Sequence, residues 1–190
     1  AFLHGLDDGV SLLVMGKVNA SDLLDEALLT QKIDEIRVMG KVLCREENTE
    51  GLQSLMAGDE VKITKIPAGY QMIDRPLILD STLLGALATR KIYCTERIEV
   101  AADVTPELLD AQIDGLKSED LIISPKALSA AVARKTNLLT ERVVFYEGQL
   151  WVVHGEETLR LQRFDFVDGA MTLLVSGELT IDPTVEPGML

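Results

Sequence analysis

Histidine and cysteine are scarce in this chain of 190 residues, which has two of each. A zinc site takes three or four such ligands, mostly at close spacing. Cys44 and Cys94 are 50 positions apart, and neither His4 nor His154 is near them. Both cysteines follow apolar residues in strand-like contexts, so we expect buried, unreactive thiols, with a disulfide or a reactive thiol as the alternatives. The sequence predicts no metal site.

Motifs that carry chemistry are also missing. The sequence has no Gly-x-Ser-x-Gly elbow, phosphate-binding loop, dinucleotide fingerprint or EF-hand loop. We therefore predict no catalytic residues and no cofactor. The best local cluster places His154 beside Glu156, Glu157 and Trp151. An imidazole next to carboxylates suits acid–base work, but an exposed turn with solvated glutamates is the simpler interpretation.

Long apolar runs and excess basic charge are absent as well. The longest apolar runs have four or five residues, far fewer than the roughly 20 that span a bilayer. The first ten residues contain Asp7 and Asp8 and no basic segment, which is unlike a signal peptide. We expect a cytoplasmic protein, or an extracellular one if a leader has been removed before Ala1. Lysine and arginine total 18 against 31 acids, a net charge of -13, so binding to nucleic acid or to anionic membranes is not expected.

The sequence does contain a repeat. The five residues Val14–Val18 return unchanged as Val38–Val42, 24 positions later. A looser form, acidic residues followed by apolar residues two apart, recurs through the chain and has the period of a strand with one buried face. The predicted equivalent positions are Leu12, Ile36, Val61, Ile98, Leu121, Val143 and Leu173, with a further apolar run at 77–79. The pattern predicts seven or eight repeats of roughly 22–25 residues.

Each predicted repeat has a glycine and a helix signal after its strand. Glycines at positions 16, 40, 148 and 177 indicate a bend, a bulge or a close backbone approach, with simple turn punctuation as the alternative. Helix starts are predicted at Asn19 to Ser21, Ser81, Thr105-Pro106 and Ser124-Pro125, and a weaker helix at 47–56. Stacking of such repeats would place strand on strand in a parallel sheet, with Lys17 above Lys41 on a shared face.

The apolar spacing in Ile33-x-x-Ile36-x-Val38 resembles the strand portion of leucine-rich repeats. The positions at which that family places Asn or Cys hold Lys41, Asp103, Lys126 and Gly148. The sequence looks more like divergent βα solenoids of bacterial proteins. The resemblance implies an α/β repeat solenoid of parallel short strands and short helices, and it implies no activity.

We predict a single repeat domain over residues 1–190. The region 66–76, with its prolines and Tyr70, interrupts the period and is predicted to be an inserted loop. Residues 180–190 begin a further repeat with Ile181-Asp182-Pro183 but leave no room to finish it. They form either an incomplete repeat or a cap.

These features predict a non-catalytic protein-binding or scaffold module whose partner is another protein or another copy of the chain. Candidate interaction residues are the aromatic or turn residues Tyr70, Tyr146, Trp151 and His154. One alternative is a self-assembling structural polymer similar to bactofilins. A second alternative is an enzyme that acts on carbohydrate through carboxylates, for which the candidates are Glu156 and Glu157 or the acids Glu96 and Glu119.

Overall fold

The computed structural model describes residues 2–57 and 61–185. It is a mixed α/β structure in which parallel strands form several small sheets with short helices between them. The elements in chain order are β1 Val10–Ala20, α1 Glu26–Lys32, β2 Ile33–Arg45, α2 Thr49–Leu55, β3 Lys62–Ile66, β4 Gln71–Ile73, β5 Leu77–Leu79, α3 Ser81–Ala86, β6 Lys91–Cys94, β7 Ile98–Val100, α4 Pro106–Gln112, β8 Gly115–Ser118, β9 Ile122–Pro125, α5 Ser129–Lys135, β10 Val143–Tyr146, β11 Gln149–Leu159 and β12 Met171–Ile181.

The chain divides into two compact units. The first unit comprises Ala1–Met72 with Thr89–Tyr93, and the second comprises Ile73–Ala88 with Cys94–Leu190. The expectation of a single domain over residues 1–190 stays a prediction.

In the first unit, β1, β2 and β3 form one parallel sheet in that order. The pairing of β1 with β2 sets the two copies of the five-residue repeat opposite each other, Val14 against Val38 and Lys17 against Lys41. The predicted stacking of the two lysines is therefore confirmed. The apolar residues that alternate along β1 and β2 cover the inner sides of α1 and α2, around the buried Leu29, Ile36 and Leu52. Burial of these side chains provides the main stabilisation of the unit.

The second unit also contains parallel strands, and all except β11 and β12 are shorter than β1 and β2. Strands β5, β7, β9 and β10 are parallel neighbours in sequence order, and β11 pairs with β12. Helices α4 and α5 are held together by Asp110, which contacts Arg134 at 2.5 Å and Lys135 at 3.1 Å. The side chains of Leu109, Ile113 and Leu116 are fully buried. The apolar run at 77–79 was predicted to be an extra strand, and β5 confirms it.

Three predicted alignments of the repeats are wrong. Leu173 lies opposite Trp151 in β11, and not opposite the predicted Val143. Ile36 does not pair with Val61: it forms a bridge with Met56, and β3 joins the sheet with Ile63 opposite Val42. The residue opposite Ile98 and Val143 is Ile122, one position after the predicted Leu121. Because Ile122 and Ile123 are both completely buried, the apolar run has no exposed alternate residue that would fix the register.

Helix starts were predicted with mixed success. The hydroxyl of Thr105 accepts a hydrogen bond from the Leu108 amide and caps α4, as predicted. The cap of α3 is Asp80, one residue before the predicted Ser81. Helix α1 is capped by Asp25 and begins after the predicted Asn19–Ser21.

The fourth start is also later than predicted. Ser124 and Pro125 end strand β9, and a 3-10 turn over Lys126–Leu128 precedes α5. The predicted weak helix at 47–56 is confirmed as the 3-10 turn Glu46–Asn48 followed by α2.

Three other predictions concern turns and ends. The predicted inserted loop at 66–76 contains strand β4. Strand β12 ends at Ile181 and is followed by a turn in which the Val185 amide donates to the Asp182 carbonyl. Residues 186–190 of the predicted final repeat, and the acidic pair Asp59-Glu60 of another, lie outside the described residues.

Candidate functional site

Glycine pairs align the longest strands of each unit. Gly16 lies opposite Gly40 in β1 and β2, and Gly155 lies opposite Gly177 in β11 and β12. A Cβ atom added at Gly40 would come closer than 3.0 Å to the Gly16 carbonyl oxygen, and one at Gly177 would approach the Gly155 oxygen in the same way. The predicted close backbone approach is thus confirmed at both sites. This close approach leaves room only for glycine at positions 40 and 177.

Only the later glycine of each pair, Gly40 or Gly177, has its Cβ position blocked by the opposite strand. No heavy atom of the described residues lies within 4 Å of the Cβ position at Gly16 or at Gly155. In each pair the strand that comes later in the chain is pressed against the carbonyl of the earlier strand. The earlier strand therefore has an empty space where a preceding carbonyl would fit.

A charged residue follows each of these glycines, and residues of the same charge lie beside each other on paired strands. Lys17 and Lys41 lie side by side after Gly16 and Gly40, and Glu156 lies beside Glu178 after the second glycine pair. The acids belong to a surface depression of about 260 Å³ lined by Glu156, Glu157, Thr158, Glu178 and Thr180. Thus β1 carries a basic residue at the position where β12 carries an acidic one.

Strand β1 lies at one side of its sheet, and among the described residues it has a paired strand on the β2 side only. We call its other side the outer edge of β1. Leu13 and Met15 of this strand are 66% and 80% exposed. Strand β12 likewise pairs with β11 alone among the described strands, and its Val175 and Ile181 are 40% and 45% exposed. Exposed strand edges with apolar side chains are liable to pair with further strands.

An apolar hollow of about 670 Å³ lies beside β1. It is bounded by inward side chains of β1, by α1 and by the segment around the 3-10 turn Leu3–Gly5. Its apolar lining includes Phe2, Leu12, Val14, Val18, Leu24, Leu28 and Ile36. The core of the first unit is therefore accessible at this end.

The first predicted interaction residue, Tyr70, belongs to the first unit. It follows a turn in which its amide donates to the Pro67 carbonyl, and its ring contacts the buried cluster of Leu43, Ile66 and Tyr93. The Lys91 ammonium group lies 5.9 Å from the ring centre, a cation–π arrangement. These contacts support a structural role for Tyr70.

The other three predicted residues lie in the second unit. Tyr146 is buried, and burial together with the charge of Glu99 raises the pKa of its hydroxyl. Trp151 is half-buried, with the Arg163 guanidinium 4.1 Å from its ring centre. His154 is exposed and contacts the guanidinium of Arg97 through Nε2. The assignment of these three residues and Tyr70 to one interaction surface stays a prediction.

Sequence reasoning missed Asn48, a buried residue that joins two successive turns. Its amide nitrogen donates to the carbonyl oxygens of Ala20 at 3.0 Å and of Asp22 at 2.6 Å, and its Oδ1 accepts from the Leu24 amide at 3.1 Å. This is the kind of contact that the asparagine of leucine-rich repeats makes, at a position where the resemblance did not place it. The repeat spacing was the available signal, because Asn48 lies 24 positions after Leu24.

Cys44 and Cys94 are both buried and free, as predicted. Burial raises the pKa of the Cys94 thiol, which donates a hydrogen bond to the Arg75 carbonyl at 3.2 Å. The described residues contain no group of three or more His, Cys, Asp or Glu side chains arranged to hold a metal ion. The carboxylate-based enzyme, with Glu156 and Glu157 in the acidic depression, stays a prediction.

None of the described helices has the length and apolar character needed to cross a bilayer. Comparison of the chain with protein-family models, with curated proteins and with solved structures found no match.

Proposed function

We propose that this protein is a non-catalytic protein-binding or scaffold module built as an α/β solenoid, and that it binds a protein partner at the outer edge of β1. The observation that carries the proposal is this edge itself. Strand β1 has 11 residues, pairs on one side only among the described strands, and bears the exposed Leu13 and Met15.

Strand edges bind proteins through main-chain hydrogen bonds, and the alternate side chains select the partner. A strand as long as β1 offers such donors and acceptors over its whole length. When a partner binds, apolar side chains on the exposed face also become buried, and this burial adds to the stabilisation from the hydrogen bonds. A scaffold protein needs no more than such an edge and a stable support behind it.

The solenoid part of the proposal is supported by the spacing of contacts between successive repeats. Hydrogen bonds link Arg142 to Asp120, 22 positions apart, Ser118 to Glu141, 23 apart, and Arg45 to Ser21, 24 apart. Contacts at a nearly constant spacing, combined with parallel strands in sequence order, are what stacked repeats produce.

The test compares the proteins that the chain retains when its edge is intact and when it is altered. The altered chain carries Leu13→Glu and Met15→Glu, since both side chains are exposed and their replacement leaves the core unchanged. A matched control carries Leu138→Glu and Leu139→Glu, two exposed apolar residues outside the strands. The immobilised chains are incubated with cell extract to which a tagged copy of the same chain is added, and the retained proteins are identified by mass spectrometry.

We expect a defined set of proteins, or the tagged copy, to be retained by the wild type and by the control, and at least tenfold less by the edge variant. Equal retention by all three chains, or no specific retention by any, would contradict the proposal.

A self-assembling structural polymer is the second candidate. The observation that favours it is the match between β1 and β12: each has 11 residues with glycine at the seventh place. Filaments in electron micrographs of the purified protein would support this candidate, and their absence at high concentration would oppose it.

A further inference from the structure

We propose that β12 of a second copy of this chain adds in parallel to the outer edge of β1, with Gly177 opposite Gly16. This inference rests on the proposed function, because it takes the outer edge of β1 as a protein-binding site and names the partner. Four observations carry it: the empty space at Gly16, the matched strands, the apolar hollow and the charges.

The glycine geometry fixes the side and the register of the added strand. Gly16 has a φ of +129°, a conformation that other residues rarely adopt, yet nothing among the described residues occupies its Cβ position. At Gly40 and at Gly177 the corresponding position is closed by the carbonyl oxygen of the preceding strand. A preceding strand whose glycine carbonyl faces Gly16 would complete the same arrangement.

Strand β12 has the sequence that this position requires. Aligned on the glycines, Leu173, Val175, Leu179 and Ile181 of β12 stand opposite Leu12, Val14, Val18 and Ala20 of β1. The last four are the inward side chains of β1, which are buried or half-buried, and all four line the apolar hollow. Addition of β12 would therefore cover the hollow with aliphatic side chains, and would itself bury the exposed Val175 and Ile181.

The charged residues after the glycines favour pairing of β12 with β1 over pairing of two β1 strands. Within the described units, Lys17 lies beside Lys41 and Glu156 lies beside Glu178, and each pair brings equal charges together. In the proposed contact Glu178 lies opposite Lys17. Opposite charges directly across paired strands are favourable and like charges are unfavourable. Two β1 strands would instead bring Lys17 against its own copy.

The contact uses different surfaces on the two molecules, so each copy keeps one strand available for the next. Such a heterologous contact produces rings if it closes and open filaments if it does not. Assembly should therefore depend on protein concentration and should proceed beyond a dimer unless a ring closes.

The test uses charge reversal on the purified full chain, followed by sedimentation velocity over a concentration series. The variants are Lys17→Glu, Glu178→Lys and the double variant that carries both. Each single variant places like charges across the contact, whereas the double variant restores opposite charges. Lys126→Glu, an exposed lysine paired with Glu147, is the control for a charge change elsewhere.

We expect the wild type, the double variant and Lys126→Glu to assemble over the same concentration range. Each single variant should need at least about tenfold more protein. An equimolar mixture of the two single variants should recover assembly, because every contact between unlike molecules then joins opposite charges. This recovery would show that residue 17 of one molecule faces residue 178 of another.

A second variant tests the glycine argument. Gly16→Ala places a methyl group in the space that the incoming carbonyl would fill, and it should abolish assembly while circular dichroism shows a folded chain. If Gly16→Ala does not fold, the charge-reversal series still decides.

The outcomes separate the inference from the proposed function. A wild type that stays monomeric at all concentrations, or assembly that neither single variant weakens, would overturn the inference. If assembly is lost with Leu13→Glu and Met15→Glu but is insensitive to both charge reversals, the outer edge of β1 binds protein in another way. Assembly that none of these variants weakens would contradict both proposals.

Discussion

Gly16 and Gly40 face each other across parallel strands so closely that a side chain at Gly40 would overlap the Gly16 carbonyl oxygen. The same relationship joins Gly155 and Gly177. Glycine at these positions is therefore a packing requirement between paired strands. The requirement also sets the register, since any shift of the strand would bring another residue with a Cβ atom against the carbonyl.

Gly40→Ala should destabilise the protein by at least about 2 kcal/mol, because a non-glycine residue at such a backbone conformation costs about 1–3 kcal/mol and the methyl group also meets the Gly16 carbonyl. Gly85→Ala is the matched control: Gly85 is exposed in α3 and its Cβ position is open. It should stabilise by about 0.5–1 kcal/mol, the helix preference for alanine over glycine. Urea unfolding measures both, and equal effects would contradict the packing requirement.

Asn48→Ala should cost about 1–3 kcal/mol, because it leaves the buried carbonyl of Ala20 and the partly buried carbonyl of Asp22 without their donor. Asn19→Ala is the control, since Asn19 is exposed and makes a local hydrogen bond to the Ser21 amide. Its effect should stay below about 1 kcal/mol. Thermal unfolding compares the two variants, and an equal loss from both would mean that the buried contacts of Asn48 do not stabilise the turns.

The sequence was sufficient where one local pattern determined the outcome. The repeated Val14–Val18 segment identified paired strands, and Thr105 before Pro106 identified the start of α4, where the Thr105 hydroxyl accepts from the Leu108 amide. The cap involves residues close in sequence, and the strand pairing was visible because the second segment is an identical copy 24 positions later. The parallel strands and short helices followed from these patterns, whereas the solenoid itself stays a proposal.

Local patterns failed where neighbouring residues offered the same chemistry. Asp80 and Ser81 can each cap a helix. In the structure the carboxylate of Asp80 accepts a hydrogen bond from the Leu83 amide and is the cap. Ser124-Pro125 has the form of a helix start, but Ser124 is fully buried at the end of a strand. The space at Gly16 and the contacts of Asn48 depend on residues more than 20 positions away, so no local pattern predicts them.

Asp110 should make stability depend on pH at the α4–α5 contact. Hydrogen bonds from Arg134 and Lys135 lower the pKa of its carboxyl. A carboxyl whose pKa is lower in the folded state adds stability above its unfolded pKa of about 3.9, and this contribution is lost as the pH falls through the folded value. Asp110→Asn should therefore lower the urea midpoint at pH 7 and lower it by less at pH 2.5.

The control for this pH dependence is Asp165→Asn, which removes an exposed carboxylate from the 3-10 turn at Leu161–Phe166. Its midpoint should differ from the wild type by a small amount at both pH values. A difference for Asp110→Asn that persists unchanged at pH 2.5 would show that the charge of Asp110 is not the cause.

Cys44 and Cys94 should resist thiol reagents in the native protein. Both side chains are fully buried, and burial raises the pKa of the Cys94 thiol, which lowers the fraction of reactive thiolate. Denatured protein should react at both thiols without reductant. Fast labelling of either residue under native conditions would contradict their placement, and no labelling after denaturation would indicate a disulfide.

Cross-linking between two copies tests the proposed β12–β1 contact most directly. Chains carrying Lys17→Cys and Glu178→Cys are mixed and oxidised, and the parallel mixture pairs Lys17→Cys with Thr180→Cys, two residues further along β12. Residues opposite each other in paired strands are close enough for a disulfide, whereas a shift of two residues puts their Cα atoms beyond the roughly 7 Å limit. We expect a disulfide between unlike chains in the first mixture and little in the second. Equal cross-linking in both mixtures, or in neither, would contradict it.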